Sequence, residues 1–90
     1  MAVSGQITVA TAGTAVQGTS TPAAAAVAVK AHPDNAGTVW VGNDGADDVN
    51  NGNSFPLNPG EGVVLQGDLE AYWFDADNNG DVVCWLVVIQ

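Results

Sequence analysis

The sequence predicts an all-β fold: a compact β-sandwich or jelly-roll-like barrel of about seven or eight short strands, with little or no helix. Three observations predict it. Apolar residues alternate with polar or small ones, as in Ile7-Thr8-Val9 and Val39-Trp40-Val41. Turn chemistry separates these runs: Pro33-Asp34-Asn35-Ala36-Gly37, Asn58-Pro59-Gly60, Gly67-Asp68 and Asn79-Gly80. Helix signals are confined to one stretch, PAAAAVAVKA at residues 22–31, and even there Val27, Val29 and Ala31 alternate with Ala28 and Lys30 in strand fashion.

The elements follow in order. Residues 1–20, rich in Thr, Ala, Gly and Ser, form an N-terminal arm or an edge strand, with Ile7 and Val9 alternating and a second short strand near residues 14–17. Residues 21–90 form a single β-sandwich domain. Its first strand lies within residues 22–31 and stops at His32-Pro33. Residues 38–41 make a strand with Val39 and Val41 on one face and Trp40 on the other. Residues 42–54 are a loop dense in Asp, Asn and Gly, and Asn58-Pro59-Gly60 reads as a type II turn. Residues 62–66, 69–75 and 81–89 supply the remaining strands. No internal repeat is visible.

The stretch DADNNGD at residues 75–81 has two readings: the start of a calcium loop using Asp75, Asp77, Asn79 and Asp81, or a β-hairpin turning at Asn79-Gly80. In the hairpin register Asp75 faces Cys84, Phe74 faces Trp85 and Tyr72 faces Val87. One face then carries Tyr72, Phe74, Ala76, Val83, Trp85 and Val87; the other carries Trp73, Asp75, Asp77, Leu86 and Val88. Asp75 and Asp77 fall opposite Asp81, whereas a calcium cage needs about six to eight convergent oxygens. An EF-hand also requires Glu at loop position twelve, where this chain has Leu86. The turn is therefore the preferred reading; a non-EF site with a longer loop stays open. Both hairpin faces are apolar, so the second needs a cover, and a neighbouring subunit is the expected one.

Charge narrows the function classes. The chain of 90 residues has one Lys, no Arg and ten Asp or Glu, for a net charge of -9. Nucleic-acid binding by phosphate neutralisation needs Lys and Arg, so no nucleic-acid partner is expected. An anionic membrane repels such a chain, and no run approaches the roughly 18 apolar residues of a span. The N-terminal stretch MAVSGQITVATAG has neither the basic region nor the apolar run of a signal peptide. Cys84 is the only cysteine, which excludes an intrachain disulfide. A chain this short buries only roughly 60–65% of its unfolded surface, so self-association or a metal is an expected aid to stability.

Catalytic signals are generic. His32 is the only histidine and precedes a proline, without an identifiable partner to orient it. Asp47-Asp48 reads as a solvated loop pair. Cys84 sits in an apolar strand without a basic neighbour, the setting of an inert buried thiol. Ser4, Ser20 and Ser54 lack a nucleophile-elbow context. No enzyme activity, catalytic residue or cofactor is expected. Trp40 and Trp73 suit a subunit interface, together with Leu86 and Val88; Trp85 and Tyr72 read as core.

Three stretches carry a resemblance: KAHPDNAGTVWVGNDG, GNSFPLNPGEGVVL and LEAYWFDADNNGDVVCWLVV. An "NxGxVxVG" strand matches Asn35, Gly37, Val39, Val41 and Gly42, and a "PLxPGE" turn matches Pro56, Leu57, Pro59, Gly60 and Glu61. Together they resemble small head decoration (cement) proteins of tailed bacteriophages and related β-rich virion domains. The resemblance implies a capsid protein on the virion exterior, assembled in the host cytoplasm, commonly as a homotrimer, with the major capsid protein as partner. It carries no catalytic residues. The expected role is to stabilise the capsid lattice, with Ala2, Val3, Ile7 and Val9 of the arm as capsid contacts. The alternative is a carbohydrate- or receptor-binding β-module of a phage fibre or tail, using Trp40 or Trp73 beside the acidic loop at residues 44–53.

Overall fold

In a computed structural model, residues 3–43 and 54–90 are described. The strands are β1 (Ser4–Val9), β2 (Val16–Gln17), β3 (Ala26–Ala31), β4 (Val39–Gly42), β5 (Phe55–Leu57), β6 (Gly62–Gln66), β7 (Trp73–Ala76) and β8 (Asp81–Ile89). They form two antiparallel four-stranded sheets, ordered β1-β8-β3-β6 and β2-β7-β4-β5. The only helical piece among the described residues is a 3-10 turn, Leu69–Ala71. The all-β sandwich expected from alternation and turn spacing is the fold.

The core lies between the sheets and follows the alternation. Ile7, Val9, Val27, Val29, Val83 and Trp85 point inward from the first sheet, and Val39, Val41, Leu57 and Phe74 from the second. Burying each such side chain contributes about 1.5–3 kcal/mol before entropy is counted. Trp85 fits because its cross-strand neighbour is Gly5, where a Cβ would lie 2.9 Å from the indole Cζ2. In the Asn58-Pro59-Gly60 turn, Gly60 has φ +87° and Glu61 N–H donates to Asn58 O at 2.9 Å, the features of type II.

Several expectations are corrected. Residues 69–75 are not one strand: Asp68 caps the 3-10 turn and β7 begins only at Trp73. DADNNGD is not a hairpin turn. Its flanking strands belong to different sheets, β7 pairing with β2 and β4 while β8 pairs with β1 and β3. A type I′ hairpin needs positive φ at both central residues, and here only Gly80 has it, at +84°. The place beside β8 is taken by β1, with Val9 opposite Asp81. Phe74 faces Val16 and Val41, and Trp85 faces Gly5 and Val29. The segment is a corner that carries the chain from one sheet to the other.

The N-terminal region is built into the sandwich. β1 is an edge strand, and Ile7 and Val9 are buried, at 7% and 0% exposure. They are core residues, so their side chains are not exposed for the capsid contact expected of them: alternation turns them, with Ile7 beside Val83, toward the second sheet. Val3 is 49% exposed, and its carbonyl accepts from Val87 N–H. Ala2 lies outside the described residues.

Candidate functional site

Sequence chemistry points to the acidic corner. Each candidate ligand is held by a different donor. Asp75, buried, accepts from Gly13 N–H at 3.0 Å and from its neighbour Ala76 N–H at 2.8 Å. Asp77 accepts from Trp40 Nε1 at 2.9 Å. Asn79 accepts from Ala12 N–H at 2.7 Å. Asp81, also buried, accepts from Ala36 N–H at 2.9 Å on one oxygen and from Gly37 N–H at 3.0 Å on the other. These side chains fan out to fasten the β1–β2 and β3–β4 connections to the corner. Among the described residues no group of three His, Cys, Asp or Glu gathers in metal-binding geometry. The carboxylates diverge because they serve separate donors, two sets of backbone N–H groups and the Trp40 indole, rather than because a hairpin splits them between its faces.

Two further fasteners, one beside the corner and one at the far end of the sandwich, were not given this role from sequence. Asn35 donates to Val82 O and accepts from Val82 N–H, both at 2.8 Å, so its amide imitates a strand partner for β8. Thr21, fully buried, bridges Asp68 and Leu69: its Oγ1 donates to Asp68 at 3.2 Å and accepts from Leu69 N–H at 2.8 Å. Asp68 also accepts from Glu70 N–H and Thr21 N–H, and these donors, Glu70 first, hold its carboxyl below the usual aspartate value. The signal for Asp68 is an Asp two residues ahead of Glu70 at a helical turn. Thr21, being separated by 47 positions from Asp68, has no local signal.

The outer faces of the two sheets differ. On the first, register aligns Ser4, Leu86, Ala28 and Val64 in one row and Gln6, Cys84, Lys30 and Gly62 in the next. Val64, Leu86, Val88 and Ile89 are 59%, 49%, 47% and 58% exposed. The only acid in β1, β3, β6 and β8 is Asp81, which is buried. In a chain of charge -9, the outward positions of these four strands hold no carboxylate among the described residues and carry Lys30, the sole Lys or Arg.

On the second sheet, Trp73 lies between Gln17 and Gly42, and Trp40 between Asp75 and Pro56. Both indoles are half-buried. Trp40 and Trp73 therefore share one outer face, while Leu86 and Val88 occupy the opposite side of the molecule. The single interface expected for these four is split, because β7 and β8 lie in different sheets.

Where β5 and β6 border the sandwich, an open apolar cleft of about 350 Å³ is lined by Val41, Phe55, Val63, Leu65 and Tyr72. Tyr72, half-buried, donates its hydroxyl to Gln66 O at 2.9 Å. The other single-residue candidates have local roles. His32 Nδ1 accepts from Asp34 N–H at 3.0 Å within its turn. Cys84 is half-buried on the outer face and not in the core, with Gln6 Nε2 3.8 Å from its sulfur. Asp47, Asp48 and the rest of the acidic loop at residues 44–53 lie outside the described residues. No family model, curated protein or solved structure matches the chain.

Proposed function

We propose that this protein is a decoration (cement) protein of a tailed-bacteriophage head, binding the outer capsid surface as a homotrimer and stabilising the major capsid protein lattice. The observation that carries the reading is the acid-free apolar outer face of the first sheet, centred on Leu86, Val88 and Val64, in a chain otherwise strongly acidic. Exposed apolar patches framed by polar surface mark association sites. The resemblance of Asn35–Gly42 and Pro56–Glu61 to decoration-protein motifs supplies the setting. In this reading the first sheet's outer face meets neighbouring subunits and Val3 extends toward the capsid. A protein that binds the expanded lattice alone stabilises it by mass action, in proportion to RT ln(1 + [L]/Kd).

The test mixes purified protein with expanded and unexpanded heads of the phage that encodes it and pellets the shells. Saturable binding to expanded heads, with a raised rupture temperature, is expected. Equal binding to both shells, or to neither, contradicts the proposal. A fibre or tail module that binds carbohydrate is the second reading, favoured by Trp40 and Trp73 lying on one face. Against it, both indoles are half-buried and the Trp40 N–H is already bonded to Asp77. Glycan-array binding without head binding would decide for it.

A further inference from the structure

The four edges of the sandwich are not equally protected. β5 carries Pro56, which has no N–H, and β2 is two residues long. β1 presents Ser4, Gln6 and Thr8 as its exposed residues. β6, GVVLQ, has neither proline nor charge, and among the described residues no strand pairs with its far side. Its backbone groups can be sorted. Ala31 N–H donates to Glu61 O at 2.9 Å and Gly67 N–H to Ala25 O at 2.7 Å, so odd-numbered residues serve β3. Alternation in an antiparallel ladder turns the N–H and C=O of Gly62, Val64 and Gln66 to the open edge. Gln66 O is bonded there by Tyr72.

The cleft adjoins this same edge. Val63 and Leu65 point inward from β6 and form one wall, and Phe55, 55% exposed, stands on the facing sheet. A strand added to β6 would turn alternate side chains into the cleft, closing the sandwich where β5 and β6 leave it open. Main-chain bonds and side-chain pockets are the two components of recognition by strand addition.

Charge selects the occupant. Two-fold antiparallel pairing of β6 with a second copy, centred on Val64, would set Glu61 of each chain opposite Gly67 and next to Asp68 of the other, an acid-rich contact that the one Lys30 per chain offsets only in part. At the Gln66 end lie Asp68 and Glu70; at the Gly62 end Glu61 is offset by Lys30, paired across from Gly62. We infer that the open edge of β6, with the cleft beside it, binds an extended segment of a different protein, apolar at alternate positions and cationic at the end beside Gln66. In an antiparallel complex that end is the segment's N-terminus. The inference stands independently of the virion proposal.

An array of synthetic ten-residue peptides, varied in apolar pattern and in the position of lysine, tests it against the whole chain. Peptides with alternating Val or Leu and N-terminal lysines are expected to bind at least tenfold better than the same compositions with acidic ends or scrambled order. Binding is expected to slow amide exchange at Gly62, Val64 and Gln66. Val64→Pro removes one edge donor without touching the β3 ladder, and Phe55→Ala opens the cleft; each is expected to lower binding at least fivefold. No preference in the array, a preference for acidic peptides, or unchanged binding in a folded Val64→Pro protein overturns the inference. So does self-association of the native chain that slows amide exchange at Gly62, Val64 and Gln66, because the edge would then belong to a second copy.

Discussion

In sequence the stretch at residues 75–81 has a calcium reading beside the preferred turn, and Leu86 and Val88 read as interface; in the structure the acidic corner and the outer face of the first sheet end in opposite conditions. At the corner, Asp75, Asp77, Asn79 and Asp81 are all bonded within the chain, two of the three carboxylates being buried on backbone donors. Across the sheet, Leu86, Val88 and Val64 stand about half exposed with no acid among them. The corner's side chains fasten the fold, and the exposed face is the one proposed for association. Residue type alone did not separate the two roles; the partners did.

The comparison breaks first at Asp81. Asp81→Ala leaves the Ala36 and Gly37 N–H donors without their acceptor, and a loss of about 3 kcal/mol is expected by urea unfolding. A loss below about 0.5 kcal/mol would remove the corner's structural role. At the corner's rim, Trp40→Phe deletes one bond to Asp77 and is expected to cost about 0.5–1.5 kcal/mol. On the exposed face, Leu86→Ser with Val88→Ser should leave the stability of the isolated chain within about 0.5 kcal/mol.

Acid titration sharpens the same contrast at Asp68. Its folded carboxyl is held below the unfolded value, about 3.9, so its contribution is fully present above that value. The contribution is lost as pH falls through the lower folded value. Asp68→Asn should therefore flatten the acid limb of the stability curve below about pH 4, with little added dependence near neutrality. An unchanged acid limb would mean that the three donors on this carboxylate do not favour its charged form.

Much of the fold was legible because burial obeys alternation. Val39 and Val41, Val27 and Val29, and Val83 and Trp85 all turn inward as their spacing predicts. Pairing was less legible. Asn79-Gly80 between apolar runs is a hairpin signal, yet the same residues turn a corner when a distant strand, β1, occupies the pairing position beside β8. That competition is between segments some 70 residues apart, beyond any local pattern. It also explains why Trp73 and Leu86, expected on one face, lie on opposite sides, and why Ile7 and Val9 are core. Asn35 and Thr21 were missed for the same reason: their partners, Val82 and Asp68, are each 47 residues away.

Light scattering on the native chain, at physiological and at high salt, tests the central claim that the acid-free face is a subunit interface. The prediction is a trimer of the 9.1 kDa chain, strengthened by salt because screening weakens repulsion between acidic copies. Leu86→Ser with Val88→Ser should reduce it to a folded monomer. A 9.1 kDa species at every concentration, or a trimer unaffected by the double substitution, would contradict the account.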